Sequence, residues 1–311
     1  MNHILTNSAL TAFKTCPRKY QIRYEMGISP VRDSEPLIFG RMMHKAVELW
    51  LRNGRTLNFL DTFFNEQLKN CVEEKEALVV NKVSALLVGY HRQYASESFE
   101  AVAIEQKFEM PLINPDTKNV SNIFRMAGMM DAIYRDKDGE IFIKETKTTS
   151  DDIEDSSSSY WRQLSIDSQI SQYYLGAKIL GYEPKYCLYD VVKKPAIKLK
   201  KATKLKKAET LEEYYERLLE DIEERPEFYF ARKEIPRIGD DLKDYLYDVN
   251  DISEMVYSCQ NKDTFPRYTN SCKTVYGVCP YFNFCTGTAS LEDATLFKRD
   301  ENPHVELTEG L

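Results

Sequence analysis

Up to about residue 100 the apolar positions of the chain recur at helical spacing. In PLIFGRMMHKAVELWLRNG, Ile38, Met42, Ala46, Leu49 and Trp50 share one face, and Asn53-Gly54 closes the helix. Short helices are expected over 6–25, where Thr6, Asn7 and Ser8 offer caps and Cys16-Pro17 interrupts the pattern. Two further helices follow near 56–73 and 76–96. Beyond residue 100 the period drops towards two. FEAVAIEQKFEMPL reads as a strand, and NIFRMAGMMDAIYRDKDGEIFIKETKT as a hairpin turning at Asp136–Gly139. SIDSQISQYYLGAKILG is again helical and ends at Gly181, KYCLYDVVKK is a strand, and 209–225 and 239–259 are helical. A hairpin, a crossover helix and another strand wrapped in helices predict a mixed sheet, α/β or α+β in class.

The hairpin carries the candidate chemistry. Ile141 and Ile143 alternate with Phe142 and Lys144, and the strand then runs into Glu145 and Lys147, which share a face because they lie two apart. Asp131 stands fourteen residues before Glu145 on the other arm, so the hairpin can bring the two carboxylates together. Hard divalent cations take such oxygen ligands, and Lys147 on the same face could orient a water or offset charge on a phosphoryl oxygen. A local Glu145–Lys147 ion pair is the plainer alternative, but a partly exposed pair contributes only about 0–1 kcal/mol.

Composition is that of a globular chain, with 42% hydrophobic and 29% charged residues and a net charge of −7. An acidic body excludes a protein coated in positive charge but not one basic groove on it. The N-terminus shows no secretory signal, and no run approaches the roughly 20 apolar residues of a membrane span. DDIEDSSSSY (151–160) reads as a flexible loop, and the polar stretch after 290 as a loose tail.

The hairpin has company, and together the pieces resemble the PD-(D/E)xK nucleases, in particular the RecB-like/Cas4-like branch that includes the AddB nuclease domain. They are GRMMH (Gly40–His44), AIEQKF (Glu105), GMMDAIY (Asp131), IKETKT (Glu145, Lys147) and QISQY (Gln169, Tyr173). They occur in the family's order, with Met130 where the name-giving motif has proline. The resemblance implies a restriction-endonuclease-like core and Mg²⁺ or Mn²⁺ held by His44, Asp131, Glu145 and the Thr146 carbonyl. It makes Lys147 the catalytic lysine, with Gln169 and Tyr173 holding DNA and the active-site groups. Glu105 stays open between a place in the site and a solvated strand position.

Seven cysteines are unevenly spread, and SCKTVYGVCPYFNFC sets Cys272, Cys279 and Cys285 at C-x₆-C-x₅-C. In a cytosolic chain such clustering suggests metal or redox chemistry more than disulfides. By resemblance Cys16 is the fourth ligand of a [4Fe–4S] cluster joining the two ends of the chain. Structural zinc is the alternative metal and Cys259 the alternative ligand, whereas Cys71 and Cys187 read as small buried hydrophobes. KKPAIKLKKATKLKK (193–207) carries eight lysines and no acid. Lys193, Lys194, Lys198, Lys200, Lys201 and Lys204 are candidate phosphate contacts, a solvated loop being the alternative. Arg18, Lys19, Arg23, Arg267 and Tyr268 could add backbone and stacking contacts.

These readings divide the chain into an N-terminal helical region (1–99), a nuclease core (100–208), a C-terminal helical and cluster segment (209–290) and a polar tail (291–311). The expected activity is metal-dependent hydrolysis of DNA, as an exonuclease on ends or single strands. The alternative is a non-catalytic DNA-binding scaffold that keeps the fold and cluster. The resemblance implies a cytoplasmic bacterial or phage protein of recombination, repair or CRISPR adaptation. No G-x₄-GK[ST] loop is present, so a helicase would be a separate partner.

Overall fold

In a computed structural model of the chain, residues 3–71, 73–203, 207–274 and 277–308 are described. The strands are β1 (His3–Leu5), β2 (Ile28–Pro30), β3 (Glu100–Ile113), β4 (Val120–Arg135), β5 (Ile141–Thr149), β6 (Cys187–Lys193), β7 (Phe230–Ile235), β8 (Lys273–Thr274), β9 (Gly277–Val278) and β10 (Phe297–Arg299). The helices are α1 (Asn7–Thr15), α2 (Pro17–Tyr20), α3 (Glu35–Arg52), α4 (Leu60–Asn70), α5 (Glu74–Tyr94), α6 (Ser159–Gln163), α7 (Ser168–Ile179), α8 (Leu211–Glu224), α9 (Pro226–Tyr229), α10 (Gly239–Asn261) and α11 (Phe282–Cys285).

β1, β3, β4, β5, β6 and β7 form one mixed sheet. β3 pairs antiparallel along one edge of β4, and β5 and β1 share the other edge. β5 holds β4 only from Arg135↔Ile141 to Ala132↔Lys144, while β1 takes Phe124–Met126 in parallel. Between them the ladder is open, and the Gln172 amide of α7 fills part of the gap by donating to the carbonyls of Ala127 and Leu5. The turn at Asp136–Gly139 forms as the sequence requires. Asp136 Oδ1 accepts from the Asp138 and Glu140 amides, and Gly139 sits at φ +84°.

Two cores cover the faces of the sheet. One gathers α1, α7 and α10, and the other α3, α4, α5, α8 and α9. The strands change face midway. Phe124, Met126 and Met130 of β4 belong to the first core, yet beyond Asp131 it is Ile133 that does so, and Ala132 and Tyr134 belong to the second. The switch falls between the register pairs Ile104↔Ala132 and Gln106↔Met130, where Glu105 has a left-handed φ of +53°. Such backbone costs free energy of order 1–3 kcal/mol and concentrates at functional sites.

Six of the described strands escaped the sequence pattern: β1, β2, β8, β9 and β10 are short, and β7 (FARKEI) carries three charges. β1 comes from the segment expected to be helical (1–99) and β7 from 209–290, and both enter the same sheet as the core strands. The described part of the stretch after 290, residues 291–308, is not loose. β10 pairs antiparallel with β2, and a helical turn at Val305–Leu307 brings Glu306 to accept from the Thr6 hydroxyl, the N-cap of α1. Single apolar anchors, Phe297 and Leu307, hold it down, and composition does not register them.

Candidate active site

The site lies where β4 and β5 part. Past Ala132↔Lys144 the Thr146 amide has no ladder partner and donates instead to Asp131 Oδ2 at 2.7 Å. Glu145 and Lys147 point to the face covered by α7, and Lys147 Nζ donates to Glu145 Oε1. From the other face, α3 delivers His44, whose Nδ1 lies 3.4 Å from Asp131 Oδ2. Gly40, one turn before His44, faces β5, and a Cβ there would stand 3.4 Å from Thr148 Oγ1, an ordinary contact. On α7, Gln169 donates to the Tyr173 hydroxyl at 2.7 Å. That helix sits close because Gly128 and Gly176 leave room for the Phe108 ring, which a Cβ at either would meet at 2.6 Å. The structure thus brings together His44, Asp131, Glu145, Thr146 and Lys147, with the Gln169–Tyr173 pair beside them.

The charges are unevenly matched. Burial disfavours ionised Asp131, but His44 and Lys147 outweigh it and hold the carboxyl at about 2. Burial likewise opposes a charged His44, and Asp131 still raises its pKa. Lys147 is raised by Glu145 despite burial. Glu145, 1% exposed, goes the other way: burial and the Asp131 charge push it up to about 7, and its Oε2 has no hydrogen-bond partner. Glu105 is pushed up to about 8 by burial, Asp131 and Glu48. Glu48, one turn beyond His44 on α3, escaped sequence reasoning because it reads as one of several charges on a helix face. It accepts from Lys45 and Arg52.

Among the described residues no three His, Cys, Asp or Glu side chains are set to hold a metal ion as they stand. The donor set nonetheless fits one. Carboxyls at Glu145 and Glu105 pushed up by burial and the Asp131 charge, and a buried oxygen with nothing to accept from, are what a divalent cation would relieve. His44, Asp131, Glu145 and the Thr146 carbonyl are the groups that would hold it.

The cysteines converge as well. Cys16, at the α1–α2 junction, and Cys272, Cys279 and Cys285 all line one cavity of about 320 Å³, with Arg18, Lys19, Arg267 and Tyr268. None is in a disulfide. Burial pushes the Cys279 and Cys285 thiols up, and each also feels Cys16. The ends of the chain are tied here: Ser271 donates to the Thr15 carbonyl at 2.7 Å and the Arg18 amide to Pro266 at 3.1 Å. Cys259 is not among the residues lining the cavity, and Cys187 is fully buried in the sheet.

The basic run is only partly available. Lys193 is buried with its ammonium 3.8 Å from the centre of the Phe228 ring, and Lys194 donates to the Pro36 carbonyl at 3.3 Å. Lys193 ends β6, paired with Thr149, and so faces protein rather than solvent. Lys198, Lys200 and Lys201 are exposed, although Arg217 and Glu209 strap the backbone of this run to α8. Lys204 lies outside the described residues. Arg23 is not free for phosphate either, since it pairs with Asp300.

A mixed sheet flanked by helices, split over Asp131 and a Glu-x-Lys pair, defines a restriction-endonuclease-like fold. The family model of the PD-(D/E)XK nuclease superfamily matches residues 4–285, and the chain belongs to that superfamily. Membership implies a nuclease with DNA as its substrate. Among solved structures, the chain is similar to the crystal structure of SSO0001 (13% identity, 93% of this chain and 89% of that one, TM-score 0.38). It is also similar to that of a "Putative exonuclease" from Eubacterium rectale (10% identity, 86% and 85%, TM-score 0.47). No curated protein matches the sequence. Among the described residues no helix is long and apolar enough to cross a membrane.

Proposed function

We propose that the chain is a Mg²⁺- or Mn²⁺-dependent DNA exonuclease of the RecB/Cas4-like branch, acting on DNA ends or single strands. The observation that carries the reading is the partnerless Glu145 Oε2, buried in the split beside Asp131 and Lys147. A bound cation supplies Lewis-acid stabilisation of the phosphate and a more acidic water. The chain supplies the rest. Thr146 N–H and His44 fix Asp131 ionised, and the half-exposed Lys147 ammonium is placed to offset charge growing on the phosphoryl oxygens. Gln169 and Tyr173 brace the α7 side, and the exposed Lys198, Lys200 and Lys201 attract the backbone. The setting is recombination, repair or CRISPR adaptation in a bacterial or phage-infected cytoplasm, with any helicase a separate protein.

The test uses end-labelled linear and circular DNA, single- and double-stranded, with Mg²⁺ or Mn²⁺. Cleavage that needs a free end and is lost in Lys147→Ala is expected. Cleavage equal in both proteins refutes the site, cleavage of circles refutes the exonuclease reading, and none in either leaves a DNA-binding scaffold.

For the cysteine cavity the same reading assigns a [4Fe–4S] cluster on Cys16, Cys272, Cys279 and Cys285. The observation that supports it is the convergence of the four thiols, from both ends of the chain, on one cavity. Anaerobically purified protein is expected to be brown, with broad absorbance near ~400 nm. A colourless preparation containing zinc overturns the assignment.

A further inference from the structure

Behind the site, on the face of the sheet turned to α5, a second set of charges is buried and complete. Lys144 is 2% exposed and Asp190 fully buried. Lys144 Nζ lies 2.8 Å from Asp190 Oδ2 and donates to Thr146 Oγ1 at 2.7 Å. Arg232 Nε donates to Asp190 Oδ1 at 2.8 Å, and Arg232 also pairs with Glu97. The Tyr90 hydroxyl of α5 donates to Asp190 as well, and the Arg232 guanidinium stacks 3.5 Å from the Tyr94 ring centre. Thr146, Asp190 and Arg232 are register partners across β5, β6 and β7, so the network is a row running through three strands.

Thr146 belongs to both faces. Its side chain ends this row, and its amide holds Asp131 on the other side. β5 has left β4 at this point, so that ladder no longer fixes the peptide, while β6 still runs alongside through Thr146↔Asp190. A buried ion pair is weak evidence for stability, since apolar residues of like volume often do as well. Groups behind a metal ligand, by contrast, set its orientation.

We propose that Lys144, held by Asp190 and Arg232, is a positioning residue that fixes the Thr146 peptide, and through it Asp131, in the orientation that binds the divalent cation. The proposal rests on the metal-dependent reading given above. Among the described side-chain contacts the Thr146 hydroxyl is where the row reaches that residue, so removing it loosens the tie between the two faces without touching a carboxylate.

The test measures Mn²⁺ binding to the full-length, metal-free protein by electron paramagnetic resonance, with melting temperature and DNA affinity in EDTA alongside. Thr146→Val, nearly isosteric, is expected to weaken Mn²⁺ binding about tenfold, with Thr146→Ser restoring it. DNA affinity without metal stays at the wild-type value. Lys144→Met, which cuts the same link from its other end, should give a similar loss, and the double variant should be no worse than either single one. Valine and serine variants that bind alike, or losses that add in the double variant, overturn the proposal. A wild-type protein that binds no Mn²⁺ overturns the metal reading itself, and this one with it.

Discussion

The two faces of β5 carry the same kinds of group and treat them in opposite ways. On the α5 side Lys144 and Thr146 meet Asp190, Arg232 and Tyr90, and each charge has an opposite at hydrogen-bond distance. On the α7 side Glu145 keeps an oxygen with no partner and a pKa of about 7, pressed by Asp131 across the split. One strand, alternating residue by residue, is satisfied behind and frustrated in front. Frustration of this kind costs stability and persists where something else is meant to complete the site.

The sharpest way to break that comparison is on the front. Lys147→Ala should lower cleavage by about 10²–10³-fold or more while leaving far-ultraviolet circular dichroism unchanged. If the fold is lost with the lysine, the front face is structural too. On the back the reverse is expected. Asp190→Asn leaves Lys144 and Arg232 without their shared counter-charge and should cost about 3–5 kcal/mol in urea unfolding. A loss within experimental error would mean that the row is not holding the sheet.

A smaller effect comes from pH. The Glu145 carboxyl titrates near 4.5 when unfolded and at about 7 when folded, so its contribution to stability is full below 4.5 and is lost as pH rises through 7. Glu105 acts in the same sense, through about 8. Metal-free protein should therefore melt at a lower temperature at pH 8 than at pH 5.5, by a few degrees. Mn²⁺ should recover more of the loss at the higher pH, and Glu145→Gln should flatten the slope. Asp131 has the opposite sign, its contribution disappearing only as pH falls towards 2. A melting temperature that rises steadily from pH 5.5 to 8 without metal would contradict the charge imbalance. Similar in size, Gly176→Ala should cost about 1–3 kcal/mol, because the added Cβ meets Phe108, with cleavage per folded molecule little changed.

Much of the front face was legible beforehand because its logic is local. A strand period of two sets Glu145 beside Lys147, and a turn at Asp136–Gly139 sets Asp131 across from them. His44 needed the family resemblance, since nothing in a helical pattern says which turn meets a sheet. The back face was hidden for a different reason. Lys144 reads as one ordinary charge in an alternating strand, and its partners come from β6 and from β7, a strand whose own charges disguised it. Glu105 was left undecided because its part depends on a left-handed backbone that no residue type announces. Lys193 was misjudged by composition, which counts a lysine in a basic run without seeing the Phe228 ring beneath it.

The cavity holding the four cysteines gives the molecule a calendar. Its walls come from residues 15–34 and 267–285, and Thr15 and Ser271, bonded across it, are 256 positions apart. As the chain leaves the ribosome, Cys16 emerges before five of the six strands of the sheet and waits for them all before its neighbours exist. β1 waits too, because its partner β4 begins at Val120. Contacts of such long separation form late and slowly. The sheet therefore has all six of its strands before the cysteine cavity can close.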